Sequence, residues 1–228
     1  MVVNVYVEGG IINGNVDATT INNSEALREE LNRFMQRALG RDDISIVVKK
    51  CGGYKEAAKQ FIASDTDHES YLYVDLDRKP ELRAEWFKSL SDSGIDMPED
   101  KAERVCFWIQ EMEAWFLKQP QAIELWAEEE GLLRKPGKDG PIAEHPLIKD
   151  EDIERLQQKA SFVLGVILRQ VFAPQDKAKR SASGKTRDVK YGKLRHAPGI
   201  IAHLSPAELL DKDNELRAFC AKVHHKQN

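Results

Sequence analysis

The first half of the chain alternates short apolar runs with segments of helical periodicity. The runs are rich in β-branched residues and cover residues 2–8, 44–48, 71–75 and 104–109. Between them, apolar residues recur at the spacing of an amphipathic helix. Such alternation is typical of parallel strands joined by crossover helices. We therefore expect an α/β fold with a mostly parallel sheet flanked by helices.

The second half of the chain has a different pattern. The strand signal fades after residue 109, residues 131–149 have the composition of a loop, and residues 153–171 have helical periodicity. Ser205, followed by Pro206 and Glu208, predicts the start of a last helix. We therefore predict a core over residues 1–118 and a mainly helical C-terminal part over residues 119–228 that packs on it.

The segment after the first run is rich in Asn, Gly and Thr and has no period. We expect a loop over residues 11–23, a helix that begins with Ser24 as its N-cap, and a stop at Gly40.

Acidic residues stand where two of the predicted strands end. Glu8 closes the first run and precedes Gly9 and Gly10, whereas Asp75 and Asp77 close the third. The carboxyl ends of neighbouring parallel strands face one crevice, and hard cations such as Mg²⁺ prefer carboxylates. We predict that Glu8, Asp75 and Asp77 hold one Mg²⁺ or Mn²⁺ ion. An ordinary turn after Glu8, and an acidic strand end paired with the basic residues that follow Asp77, are the alternatives.

A further acidic pair, Glu111 and Glu113, follows the fourth run. Residues two apart on a helix do not share a face, so at most one of the pair is expected to reach the crevice. Acids in the first turn of a helix are also explained by the helix dipole alone.

Basic residues crowd positions 177–195, although the net charge of the chain is −4. A basic segment on an acidic protein is a candidate contact for a phosphate backbone. The nucleic-acid-binding candidates are Lys185, Lys190, Lys193 and Arg195. A solvated loop whose lysines serve only solubility is the alternative.

Composition limits the cellular locations that are expected for the protein. No segment has the run of about 20 apolar residues that crosses a bilayer, and the N-terminus has no signal-peptide pattern. The three cysteines are scattered and show neither disulfide nor zinc spacing. We expect a cytoplasmic protein.

These motifs together resemble the Toprim-type domains of topoisomerases, primases and overcoming-lysogenization-defect nucleases. The hallmark of that fold is a Glu after the first strand and an Asp-x-Asp after the third. The chain is more specifically similar to a bacterial family of Toprim-like proteins often encoded beside AAA-type ATPases. The matching segments are Val7-Glu8-Gly9-Gly10, Cys51-Gly52-Gly53, Val74-Asp75-Leu76-Asp77, Gln110-Glu111-Met112-Glu113-Ala114-Trp115-Phe116-Leu117 and Tyr191-Gly192-Lys193-Leu194-Arg195-His196-Ala197.

The resemblance implies a Mg²⁺-dependent nuclease of a bacterial defence or mobile-element system. Glu8, Asp75 and Asp77 would hold the metal and Glu113 would complete the catalytic site. The substrate would be DNA or RNA, and an AAA-type ATPase would be a partner. A non-catalytic regulatory subunit of such an ATPase is the alternative, which exposed apolar surface around Trp86 and Trp126 would favour. A small-molecule phosphotransferase or phosphatase is a third hypothesis.

Overall fold

The computed structural model describes residues 1–9, 18–64, 68–175 and 188–225. A four-stranded sheet with the order β2-β1-β3-β4 lies at its centre, and all of its pairings are parallel. Its strands are β1 (Val2–Glu8), β2 (Ser45–Cys51), β3 (Glu69–Asp75) and β4 (Val105–Trp108). The predicted α/β class is confirmed, and the arrangement is consistent with a Toprim-like sheet.

Helices connect the strands and form most of the C-terminal part. In the described ranges they are α1 (Ala18–Leu39), α2 (Tyr54–Ile62), α3 (Arg83–Ser91), α4 (Glu99–Ala102), α5 (Glu113–Lys118), α6 (Pro120–Glu129), α7 (Ala160–Val171), α8 (Lys193–Ala202), α9 (Pro206–Lys212) and α10 (Asn214–His225). A small antiparallel ribbon pairs β5 (Leu132–Arg134) with β6 (Phe172–Pro174). None of the helices in the described part is long and apolar enough to span a membrane.

Both faces of the sheet are buried, which explains why its strands are nearly continuous apolar runs. Successive side chains of a strand point to opposite faces. Val5 and Tyr73 therefore belong to one core cluster, together with α1 and α10, whereas Tyr6 and Leu72 belong to a second cluster with α2 and α3.

The larger cluster continues from the sheet into the C-terminal helices. Phe219 of α10 packs edge-on against Tyr71 and Tyr73 of β3, with ring centroids 5.1 and 6.0 Å apart. The Cys220 thiol of the same helix lies 3.7 Å from the Ala38 carbonyl oxygen of α1. The C-terminal helices thus complete the hydrophobic core on one face of the sheet.

Two predicted helix starts are wrong. Helix α1 begins at Ala18, and Ser24 is buried within it, where its carbonyl oxygen accepts a hydrogen bond from Lys50 Nζ at 3.0 Å. Helix α7 begins at Ala160 rather than Ile153, because residues 153–155 form a separate 3-10 turn. The N-cap position of α7 makes no side-chain capping hydrogen bond, and a carboxylate from elsewhere in the chain accepts from its Ser161 amide.

Two other local expectations have opposite outcomes. The predicted loop over residues 131–149 contains strand β5, which is paired only through its distant partner β6. Ser205, in contrast, caps α9 as predicted, and its side-chain oxygen accepts from the Glu208 amide at 3.4 Å.

Candidate functional site

The strand order places a crevice between β1 and β3. From β1 the chain crosses to β2 on one side and then returns to β3 on the other side of β1. In open parallel sheets, ligands bind at the carboxyl ends of the strands where the order reverses in this way. Glu8 and Asp75 are the last residues of these two neighbouring strands. The fold therefore brings two of the predicted site residues to the position where such sheets bind ligands.

Asp75 is buried and is held by two donors. Its Oδ1 accepts from the Met112 amide at 2.9 Å, and its Oδ2 accepts from Lys193 Nζ at 3.1 Å. Met112 can reach it because Gln110, at the turn after β4, has a φ of 67°, a left-handed conformation. Burial raises the pKa of Asp75, although Lys193 and the Met112 amide act in the opposite direction.

Glu113 opens helix α5 and is 1% exposed. Its Oε1 accepts from the Tyr191 hydroxyl at 3.0 Å. Its Oε2 has no hydrogen-bond partner in the described part of the chain, and the nearest cation, Lys193 Nζ, lies 3.5 Å away. Burial raises the pKa of Glu113, and the charge of Asp75 adds to the effect.

Glu8 belongs to the same acidic set, because the charge of Asp75 acts on its carboxyl group. Burial and the charge of Asp75 raise the pKa of Glu8 to about 8, while Lys193 lowers it. Glu8 therefore keeps its proton at neutral pH unless a stronger cation enters. We refer to Glu8, Asp75 and Glu113 as the inner acidic set.

Lys193 lies among these acids. Burial alone would lower the pKa of Lys193, but the charges of Asp75 and Glu113 more than offset that cost and raise it. The ammonium group is therefore charged and compensates the buried carboxylates of Asp75 and Glu113.

Local contacts fix the turn that presents Lys193 at the start of α8. The Gly192 amide donates to His196 Nδ1 at 2.9 Å, and burial lowers the pKa of His196 to about 4, which keeps the ring neutral. Farther along the helix, Gly199 allows close packing on α6, since a Cβ atom there would lie 2.6 Å from the Trp126 ring. Helix α8 is thus positioned firmly beside the crevice.

Asp77 shares a lysine with Glu111, and we call these two residues the outer acidic pair, although the charge of Asp77 also raises the pKa of Glu8 and Asp75. Asp77 has a φ of 58° and is largely exposed, and its Oδ1 accepts from Lys159 Nζ at 2.6 Å. Glu111 Oε1 lies 3.3 Å from the same ammonium, and its Oε2 accepts from the Ser161 amide at 2.9 Å. Burial would raise the pKa of Glu111, but the hydrogen bonds from Ser161 and the charge of Lys159 lower it.

The predicted nucleic-acid contacts have different placements. Lys185 lies outside the described residues, and Lys193 lies in the crevice. Lys190 and Arg195 are exposed, and neither forms an ion pair with another described residue. They line a cavity of about 900 Å³ with Trp126 and His196. Two unpaired cations therefore flank the lysine that enters the crevice.

A metal ion is implied by the family resemblance, and the inner acidic set can be tested for its fit. Across residues 1–9, 18–64, 68–175 and 188–225, no three His, Cys, Asp or Glu side chains are grouped as around a bound metal. The inner set is nevertheless made of carboxylates, the donors that hard cations prefer, and Glu113 Oε2 is buried without a hydrogen bond. A cation, the Lys193 ammonium, already lies beside two of the three groups. The chemistry of the donors fits a divalent ion, provided that Lys193 moves.

Sequence reasoning missed Tyr191 and Lys159 as site residues. Tyr191 stands beside Gly192 and Lys193 in one of the matching segments, so the sequence did carry a signal for it. Lys159, which precedes helix α7, lies in none of the matching segments. Only the fold brings its side chain to Asp77.

Comparisons with protein-family models, with curated proteins and with solved structures gave no significant match.

Proposed function

We propose that the protein is a metal-dependent nuclease that hydrolyses phosphodiester bonds of DNA or RNA. The observation that carries the proposal is the inner acidic set at the reversal of the strand order, where burial raises the pKa of all three carboxyl groups. Desolvated acids that crowd together are costly unless a cation compensates them. Groups with strongly shifted pKa values in a crevice are typical of functional sites.

Glu8, Asp75 and Glu113 are the residues that would hold Mg²⁺ or Mn²⁺, and Asp77 remains a predicted ligand at the rim. A bound divalent ion would polarise a phosphate oxygen and lower the pKa of a bound water molecule. Tyr191 holds Glu113 in position through its hydroxyl group. Met112 does the same for Asp75 through its backbone amide.

Lys190 and Arg195 are the proposed contacts for the nucleic-acid backbone. Each phosphate that is neutralised by a cation releases condensed counterions, so binding should weaken steeply as salt increases. In a double Lys190→Ala, Arg195→Ala variant, the salt slope should fall by up to about 2 units, because each contact to duplex DNA contributes about 0.9. Filter binding or fluorescence anisotropy over a salt series measures this slope.

The decisive experiment incubates plasmid, single-stranded DNA and tRNA with the protein and Mg²⁺ or Mn²⁺. Wild-type protein should cleave at least one of these substrates, and Asp75→Ala should not. Asp92→Asn is the control, because Asp92 is an exposed acid at the end of α3. Equal cleavage by wild type and Asp75→Ala would show that cleavage does not depend on Asp75 and would refute the assignment.

The bacterial defence or mobile-element setting and the ATPase partner rest on the resemblance alone. The alternative, a non-catalytic subunit of an AAA-type ATPase, would be favoured by exposed apolar surface around Trp86 and Trp126. Both tryptophans are themselves buried, at 8% and 2% exposure, whereas Leu125 beside Trp126 is 49% exposed.

A further inference from the structure

Lys193 forms ion pairs with two of the groups that a divalent ion would need. Its Nζ lies 3.1 Å from Asp75 Oδ2 and 3.5 Å from Glu113 Oε2. Both carboxyl groups are nearly inaccessible, with side chains 7% and 2% exposed, whereas the Lys193 side chain is 39% exposed. The acids are fixed in the fold, and the lysine approaches them from the solvent side.

A divalent ion and the ammonium group cannot share this position. Two cations that contact the same carboxylate oxygens in a poorly solvated crevice repel each other strongly. The carboxylates are held by the ends of β3 and α5, so they are the less mobile partners. The lysine has a flexible four-carbon stem and can leave.

We propose that Lys193 occupies the cation position of the metal-free protein and is displaced when a divalent ion binds. This inference rests on the proposed metal site. The released ammonium remains at the N-terminal end of α8, next to Lys190 and Arg195 in the chain, and adds a third cation to that surface. Metal binding and attraction of a polyanion are thereby coupled through one side chain.

The two functions of Lys193 have separate consequences. Without the metal, the lysine compensates buried acids and stabilises the crevice. With the metal, the lysine is available to a phosphate group. A basic residue that served only as a fixed backbone contact would not need the ion pairs with Asp75 and Glu113.

Calorimetric titration of Mn²⁺ into wild type, Lys193→Met and Lys212→Met tests the displacement. Methionine retains the apolar stem and removes the charge. Lys212 is the matched control, because its side chain is similarly exposed, at 46%, and pairs with Glu208 on α9. All titrations are run at one fixed pH, since protons compete with metal for the acids.

Lys193→Met should bind Mn²⁺ at least about tenfold more tightly than wild type, as close charge pairs have coupling energies above 1.4 kcal/mol. Lys212→Met should bind like wild type. If wild type binds and Lys193→Met binds equally or more weakly, displacement is refuted while the metal site stands. If neither protein binds Mn²⁺, the metal site of the proposed function fails, and the displacement fails with it.

A second measurement uses wild-type protein alone, in case Lys193→Met does not fold. An amine-reactive reagent labels lysines, and mass spectrometry reports the rate for each residue. Labelling of Lys193 should accelerate as Mn²⁺ is added and saturate at the Mn²⁺ concentration found by calorimetry, whereas labelling of Lys212 should not change. An unchanged rate at Lys193 in metal-saturated protein would overturn the proposal.

Discussion

The inner acidic set and the outer acidic pair lie at the same edge of the sheet but differ in their surroundings. Asp75 and Glu113 are buried, and burial raises the pKa of each. Asp77 is 54% exposed, and the pKa of its neighbour Glu111 is lowered by hydrogen bonds and a lysine. Each group has one lysine, Lys193 for the inner set and Lys159 for the outer pair.

The comparison shows that a lysine beside acids has a different energetic effect in the outer acidic pair than in the inner acidic set. In the outer pair, water screens the Lys159–Asp77 ion pair, and such an exposed pair contributes little. Glu111 is buried, but its carboxylate accepts from the Ser161 amide. In the inner set, the acids remain destabilised even with Lys193 present, as the raised pKa of Glu8 indicates. A divalent ion would therefore gain more binding free energy at the inner acidic set than at the outer acidic pair.

The largest expected difference is in cleavage. Asp75→Asn should lower Mg²⁺-dependent cleavage by roughly a hundredfold or more, since metal polarisation is worth several kcal/mol of the barrier. Asp77→Asn should have a much smaller effect, because Asp77 is exposed and bound to Lys159. The measurement is the initial rate of cleavage at saturating metal.

The same two variants can contradict the proposed contrast between the inner acidic set and the outer acidic pair. Equal losses in Asp75→Asn and Asp77→Asn would show that Asp77 shares the ion, as the sequence pattern Asp-x-Asp predicts. Calorimetric titration of each variant separates loss of metal binding from loss of a later step.

The second difference concerns the pH dependence of stability. The pKa of Glu8 is raised from 4.5 to about 8, so the folded state binds more protons than the unfolded state between these values. Its contribution to the free energy of unfolding should therefore fall as pH rises from about 4.5 to 8. Glu111 has a lowered pKa and should contribute the opposite slope, with stability lost as pH falls below 4.5.

Chemical denaturation at several pH values measures both slopes. Glu8→Gln should remove the loss of stability towards pH 8, and saturating Mg²⁺ should reduce it in wild type. Glu111→Gln should instead reduce the loss towards low pH. A Glu8→Gln variant with the wild-type profile would contradict the assignment of a raised pKa to Glu8.

The strand–helix alternation was sufficient to predict the sheet, because its strands are short, apolar and separated by helical periodicity. Residues 2–8 match β1 as the structure has it. Helix starts were harder to predict. Ser24 has a good N-cap side chain but lies inside α1, and the capping contact of α7 comes from Glu111, which is distant in sequence. Tertiary contacts of this kind leave no local signal.

The residues of the site were predictable where they stand at strand ends and unpredictable where they depend on tertiary contacts. Strand ends identify Glu8 and Asp75, since the topology of parallel sheets brings such ends together. The ion pairs of Lys193 and Lys159 depend on where α8 and the start of α7 dock, which no spacing encodes. Lys193 was predicted from charge alone as a nucleic-acid contact, and its placement beside Asp75 adds a contact that charge patterning cannot show.

The smallest expected difference separates Tyr191→Phe from Lys159→Met in the absence of metal. Tyr191→Phe removes the hydroxyl that donates to Glu113 Oε1 and leaves a buried acceptor unsatisfied, which should cost about 1–3 kcal/mol of unfolding free energy. Lys159→Met removes the exposed ion pair with Asp77 and the 3.3 Å contact with Glu111, which keeps the Ser161 amide as a donor, and should cost less than about 1 kcal/mol. Urea denaturation at neutral pH measures both values. Mg²⁺ should reduce the loss of unfolding free energy in Tyr191→Phe, because an ion bound to Glu113 would replace the lost donor. Equal costs for the two variants would mean that the inner set is as well solvated as the outer pair, and the contrast between them would no longer hold.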